Sequence, residues 1–343
     1  MKTNFRLLVA AFSVEVALSA VSYTSMKDAV MTQQQSTVQW ELCLLNETIA
    51  LNNHIDLNES AAMMDKSQQK KSDDQIVSRK KQPRPEHIAF NVKDPAAVAK
   101  WYIEHLGMKI IRKSPPPANT HFIADSAVNM MLELYNNPSV PVPDVAAMSY
   151  MSLHLAFMVD DVKAMRDSLL AAGAKLVEDV TTTPISDQVL MMRDPWGLAI
   201  QFVKRVSPML KPTGLRFEHL AVNVPDPQSM TNWYFENLGM KVIRKGTPPT
   251  YTNFFADAGS NMMFEVFNNT NYPLLDPSKL NILSVHFAFV VDDVRSIRNA
   301  LIAAGATLAD ELRETSTGDQ VLVLRDPWGL PIQFIKRAQP MLK

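Results

Sequence analysis

His87-Ile88-Ala89-Phe90-Asn91-Val92 returns 132 positions later as His219-Leu220-Ala221-Val222-Asn223-Val224. Arg193-Asp194-Pro195-Trp196-Gly197-Leu198 returns at the same spacing as Arg325-Asp326-Pro327-Trp328-Gly329-Leu330. Residues 80–211 and 212–343 align without a gap, and about half of the positions are identical. Self-similarity of this length is a duplicated structural module. It also serves as an internal comparison. Polar residues kept in both copies are candidates for a role, and those kept in one copy are weaker candidates.

Each copy contains two smaller units of one pattern. In the first, an alternating strand at 87–92 leads to Asp94 as helix N-cap, with Pro95 at the first helical position. Val98, Trp101, Tyr102 and Leu106 recur at helical spacing, and Gly107 closes the helix where a left-handed residue is wanted. Apolar runs at 108–113, 121–125 and 129–135 read as three strands. The second unit repeats the order. A strand at 152–159 leads to Asp160-Asp161, then to a helix carrying Val162, Met165 and Leu169 that stops at Gly173. Strands at 175–180, 187–193 and 198–204 follow, the last two joined by the turn Asp194-Pro195-Trp196-Gly197. The order βαβββ therefore occurs four times, which predicts an α+β fold of two tandem modules.

Strand alternation assigns the faces. Ile88, Phe90 and Val92 form one face of the first strand and His87, Ala89 and Asn91 the other. Leu153, Leu155, Phe157 and Val159 oppose His154, Ala156 and Met158. Leu132 and Leu134 oppose Glu133, and Ile200 and Phe202 oppose Gln201. One sheet face thus suits packing under helices. The other carries His, Glu, His and Gln, with an alanine two residues after each histidine to leave room beside the ring. That is the profile of a cleft on a curved sheet.

His87, Glu133, His154 and Gln201 all return, as His219, Glu265, His286 and Gln333. His105 and His121 do not; Asn237 and Asn253 stand in their places. Two imidazoles, a carboxylate and an amide oxygen make a mixed N/O shell for a divalent transition metal. On residue types alone, histidines on strands are more often structural than ligating, so both readings stand at this point.

The doubled βαβββ units, the Glu-His-Ile/Leu-Ala opening, the Asp-Pro-Trp-Gly hairpin and the Gly-Met-Lys after the first helix resemble the vicinal oxygen chelate superfamily. Within it the likeness is to the glyoxalase I-like branch in tandem two-module form, and it covers residues 86–206 and 218–338. The resemblance implies a divalent ion (Zn, Ni, Fe or Mn) held by His87, Glu133, His154 and Gln201 and by their repeats His219, Glu265, His286 and Gln333. It implies a lyase or isomerase acting on a small vicinal-oxygen substrate through a metal-stabilised enediolate. The sequence departs from glyoxalase I in two places. Gln201 and Gln333 stand where the family's last-strand glutamate acts as base. An amide cannot accept a proton at neutral pH, so Glu133 and Glu265 are the expected catalytic bases. Asn91 and Asn223 replace a glutathione-contacting arginine, while Asn137 and Asn269 match a glutathione-contacting asparagine. These four asparagines are the expected substrate contacts, with glutathione as a candidate partner. A binding protein that sequesters a small molecule, and an Fe(II) extradiol-type dioxygenase, are the competing readings.

The family builds its cleft within one module or across two. The crossed version joins His87 and Glu133 to His286 and Gln333, and His219 and Glu265 to His154 and Gln201. Near-identity of the halves suggests module–module pairing about a pseudo-twofold axis, which favours the crossed version.

The rest of the chain bounds the reading. A net charge of −1 gives no global electrostatic reason for a nucleic-acid or anionic-membrane partner. The single cysteine, Cys43, lies outside both modules and excludes an intramolecular disulfide. Residues 1–22 resemble a secretory signal peptide, with Lys2 and Arg6 before Leu7-Leu8-Val9-Ala10-Ala11-Phe12. This favours an exported, periplasmic or membrane-tethered protein over a cytoplasmic one with an unstructured leader. Residues 23–84 read as leader and solvated linker, 85–211 as the first module and 212–343 as the second. Trp101, Tyr102 and their repeats read as helix core. Trp196 reads as hairpin cover, and Arg112 and Arg193 as surface or inter-unit pairing.

Overall fold

A computed structural model describes residues 82–343, apart from 118, 212, 213, 260 and 343. The signal-peptide reading, most of the leader and Cys43 lie outside the described residues. No described helix is long and apolar enough to cross a membrane.

Each of the four units forms as its local signals direct. The first comprises strand β1 (Arg84–Asn91), helix α1 (Pro95–Leu106) and strands β2 (Lys109–Lys113), β3 (His121–Ala124) and β4 (Met131–Tyr135). The second comprises β5 (Leu153–Met158), α2 (Val162–Ala171), β6 (Lys175–Thr182), β7 (Gln188–Arg193) and β8 (Ala199–Lys204). The third runs through β9 (Arg216–Asn223), α3 (Pro227–Leu238), β10 (Lys241–Lys245), β11 (Asn253–Ala256) and β12 (Met263–Phe267). The fourth runs through β13 (Val285–Val290), α4 (Val294–Ala303), β14 (Thr307–Glu314), β15 (Gln320–Arg325) and β16 (Pro331–Lys336). Asp94, Asp161, Asp226 and Asp293 cap the four helices, each accepting from a backbone N–H three residues on. Gly107 and Gly239 end α1 and α3 at φ 62° and 65°, where a side chain would be strained.

The units combine across the repeat. One eight-stranded sheet has the order β14-β15-β16-β13-β1-β4-β3-β2, and the other β10-β11-β12-β9-β5-β8-β7-β6. Each sheet thus takes one unit from each sequence copy. Its centre is an antiparallel pair, β1 with β13 or β5 with β9, flanked by parallel pairs. The sequence copies are tied internally through their helices. Trp101 Nε1 donates to Ala172 O at 2.9 Å, and Tyr102 Oη donates to Asp194 Oδ2 at 2.9 Å. Trp233 to Ala304 and Tyr234 to Asp326 repeat both bonds. Trp196 lies edge-on to Trp101 as hairpin cover. Arg193 is consumed by the carbonyls of Val145, Met148 and Gly197, a structural role repeated by Arg325. One continuous apolar core from Ile88 to Phe334 lies under both sheets, so the helix-facing sides are filled and the polar faces are left for clefts.

Asp194 and Asp326 are buried at these junctions. Burial pushes both carboxyls up to about 6, against the hydrogen bonds from the tyrosines and the hairpin N–H groups. A raised carboxyl pKa stabilises the fold below the unfolded value near 3.8, and that contribution is lost as pH rises through about 6. Wild-type protein should therefore lose stability relative to Asp194→Asn between pH 4 and 7. The difference should be about 3 kcal/mol, from roughly two pKa units. Urea melts of both proteins across that range provide the measurement; parallel pH profiles would refute the assignment.

Candidate metal centres

The central strand pair decides which residues meet. Ala89 of β1 is opposite His286 of β13, and His87 is opposite Ala288. The two imidazoles are therefore diagonal neighbours on one face, with ring centroids 5.8 Å apart and the alanines making room between them. Parallel pairing places Glu133 beside Ala89 and Gln333 beside Ala288. The first cleft thus gathers His87, Glu133, His286 and Gln333. The same registers gather His219, Glu265, His154 and Gln201 in the second. The crossed grouping is the one the fold produces; His87 and His154 belong to different sheets.

In the first cleft His87 Nε2 lies 3.0 Å from Glu133 Oε2, and His286 Nε2 lies 3.8 Å from the same oxygen. Gln333 Nε2 is 3.1 Å from His286 Nε2, and a half-turn of the amide would present Oε1 instead. In the second cleft His219 Nε2 is 2.8 Å from Glu265 Oε2, and the rings of His154 and His219 are 5.8 Å apart. In each trio of two histidines and a glutamate, the candidate ligand atoms lie within 4.8 Å of one another.

Each ring is oriented from behind. His87 Nδ1 is held by Glu86 Oε2 at 2.9 Å and His219 Nδ1 by Glu218 Oε2 at 2.8 Å. His154 Nδ1 donates to Tyr150 O and His286 Nδ1 to Ile282 O, both at 2.9 Å. Every Nε2 is thereby turned to the cleft as an acceptor. Glu86 is clamped by Arg337, which also binds Asp319. Glu218 is clamped by Arg205, which also binds Asp187. Arg112, which lies over Phe122, approaches the same Asp319 at 3.6 Å, an inter-unit pairing.

Strand alternation does not single out Glu86 and Glu218, although each lies inside the recurring opening motif. Alternation puts the residue before a cleft histidine on the opposite face. Here the β1–β13 register shifts between Pro85 and His87, and the β5–β9 register shifts at the matching place. Such bulges re-aim side chains. The signal available in the sequence was the joint return of Glu86, Asp187 and Arg205 as Glu218, Asp319 and Arg337, 132 residues on.

Charge balance follows from this geometry. Burial disfavours charge on His87, but Glu133 and Glu86 outweigh it and raise its pKa; His219 is raised in the same way between Glu265 and Glu218. Burial dominates at His154 and His286 and lowers both to about 4. Burial opposes the charge of Glu86, yet His87 and Arg337 hold it down at about 2. Glu133 is lowered by His87, His286 and Arg337 despite its own burial, and Glu265 by the matching set.

The residues fit a divalent ion. The Nε2 atoms of His87, His154 and His219 are buried without a hydrogen-bond partner. The short contact of His87 Nε2 with Glu133 is not a well-directed hydrogen bond. Its length suits two ligand atoms of one coordination shell, which normally lie about 3–4 Å apart. Removing the group behind a ligating histidine typically weakens metal binding about 10–100-fold. Glu86→Gln should do this in the first cleft alone, because Arg337 keeps Asp319. Competition with a chelating dye reads the result, and two unchanged affinities would refute the orienting role.

Asn91 and Asn223, two of the expected substrate contacts, are engaged with the protein's own backbone. Both are fully buried. Asn91 Nδ2 donates to Asn137 O and Val140 O, and its Oδ1 accepts from Asn137 N. Asn223 holds the loop after β12 in the same way. Both N–H groups of each amide and one lone pair of its oxygen are thereby used, and each side chain pins the loop that borders the cleft. Asn137 and Asn269 are half-buried in those loops, with Oδ1 accepting from Ser139 N and Asn271 N.

Residues 84–202 and 216–334 each match the Glyoxalase/Bleomycin resistance protein/Dioxygenase superfamily. The chain belongs to that family. It is 25% identical over 171 residues to a lactoylglutathione lyase of Arabidopsis thaliana, covering 48% of this chain and 58% of that one. It is 26% identical over 236 residues to a probable chloroplastic lactoylglutathione lyase of the same plant, covering 66% of this chain and 64% of that one. It thus spans less than two thirds of either relative. Glyoxalase I from Zea mays shares the fold with a TM-score of 0.62 at 21% identity, over 74% of this chain and 92% of that one.

Proposed function

We propose that each cleft holds a divalent ion and carries out a glyoxalase-type proton transfer, of lyase or isomerase class, on a small substrate with two neighbouring oxygens. The observation that carries this reading is the convergence of two buried imidazoles on a single carboxylate in each cleft, with the Nε2 atoms of His87, His154 and His219 left without a hydrogen-bond partner. His87, His286, Glu133 and the amide oxygen of Gln333 would hold the ion in the first cleft. His219, His154, Glu265 and Gln201 would do so in the second. When bound, the ion supplies Lewis-acid polarisation of the two substrate oxygens. Glu133 and Glu265 are only partly buried, so a substrate can reach them from the cleft. Each takes a proton from one substrate carbon and returns it to the neighbouring carbon. The glutamines hold an oxygen in place and move no proton. The relatives named lactoylglutathione lyases make the glutathione adduct of a 2-oxoaldehyde the first substrate to assay.

Two other readings have specific support. Gln201 and Gln333 leave each ligand shell one carboxylate, which favours ligand sequestration without turnover. Two histidines and one glutamate are also the ligand set of non-haem Fe(II) oxygenases. Product formation from the glutathione adduct, set against aerobic oxygen uptake with a catechol, tests all three. Absence of turnover with tight ligand binding would replace the lyase reading by sequestration.

A further inference from the structure

The two ligand shells match residue for residue, but one end of each cleft does not. In the second sheet Glu178 of β6 is opposite Met191, which is opposite Gln201. Glu178 therefore stands on the cleft face two strand spacings, about 10 Å, from the shell. Tyr150 donates its hydroxyl to Glu178 Oε1 and lies 3.0 Å from Tyr272 Oη, with the two rings edge to face at 5.5 Å. Both tyrosines are anchored beside the shell. Tyr150 O accepts from His154 Nδ1, and Tyr272 O accepts from Asn223 Nδ2. In the first cleft the same three places hold Asp310, Ile282 and Val140. Asp310 there is paired with Arg313 at 3.2 Å, whereas the counterpart of Arg313 is Thr181. Among the described residues no cation lies within ion-pair distance of Glu178, and its Oε2 accepts no hydrogen bond.

We propose that the second cleft recognises ligands that carry an ammonium group at the end remote from their chelating oxygens, and that the first cleft does not. A carboxylate with one oxygen committed to a tyrosine and the other free, beside two aromatic rings, is a recognition set for an organic cation. A contact serving only to close the cleft end would need the rings and not the charge. In the first cleft Arg313 already answers the acidic residue, and aliphatic side chains replace the rings. The inference rests on the reading of both clefts as divalent-ion sites.

The test uses hydroxamates, which chelate divalent ions through two neighbouring oxygens. Hexanohydroxamic acid is compared with its terminal-amine derivative by calorimetry on the metal-loaded full chain. His87→Ala leaves only the second cleft competent and His154→Ala only the first. The second-cleft protein should bind the amine about tenfold more tightly than the uncharged hydroxamate. That preference should vanish in Glu178→Gln, which keeps the Tyr150 bond, and shrink in Tyr150→Ile. The first-cleft protein should show none. Equal preference in both proteins, or a preference that survives Glu178→Gln, overturns this inference alone. Failure of both hydroxamates to bind either metal-loaded protein overturns the metal-site reading, and this inference with it.

Discussion

The His87→Ala, His286→Ala double variant should retain one divalent ion per chain, and the His87→Ala, His154→Ala double variant none. The fold dictates the difference. His87 and His286 are diagonal neighbours across the β1–β13 pair, so both substitutions damage one shell. His154 sits beside His219 in the other sheet, so pairing it with His87 damages both. A shell assembled within each sequence copy would give the reverse result. Dividing the roughly 10–16 kcal/mol of a four-ligand site among its ligands gives about 3 kcal/mol or more per histidine, a hundredfold or greater loss of affinity. Exhaustive dialysis followed by elemental analysis would resolve one ion from none. Near- and far-ultraviolet circular dichroism should stay native, because the apolar core packs on the opposite sheet face. One ion in the His87→Ala, His154→Ala protein would sink the crossed assignment.

Much of this architecture could be read from the chain, and the gaps have physical reasons. Asp94-Pro95 and Gly107 mark the ends of α1 because capping is local chemistry, and the structure begins and ends that helix where they stand. Alternation placed His87, Glu133, His154 and Gln201 on cleft faces because side-chain direction in a regular strand has period two. Alternation assigns a face, not a neighbouring strand. The sequence therefore left the within-copy and crossed groupings both open, until the β1–β13 and β5–β9 registers separated them. Glu86 escaped because its strand is irregular at that residue. Asn91 is the opposite case. It obeys alternation, but it stands at the end of β1, where its amide turns to the carbonyls of the following loop.

Replacing Glu133 and Glu265 together by glutamine should lower kcat for the glutathione adduct about 10²–10⁴-fold while both ions stay bound. Each ligand shell contains one carboxylate, Glu133 in the first and Glu265 in the second, and the cleft-end Glu178 stands about two strand spacings from the second shell. Glu86 and Glu218 are enclosed behind the rings with both oxygens committed to arginine, so neither can substitute as base. Glutamine preserves an oxygen ligand of the same size, so the metal content should change far less than the rate. The single variants then apportion the work. If both clefts turn over equally, Glu133→Gln alone halves the rate; if one cleft dominates, one single variant reproduces the double. Introducing the missing carboxylate by Gln333→Glu in the Glu133→Gln background offers the converse test, since it restores a proton acceptor to the same shell from the opposite strand. Undiminished turnover in a fully metal-loaded Glu133→Gln, Glu265→Gln protein would show that neither glutamate is the base. It would move the proton transfer to a group outside the two shells.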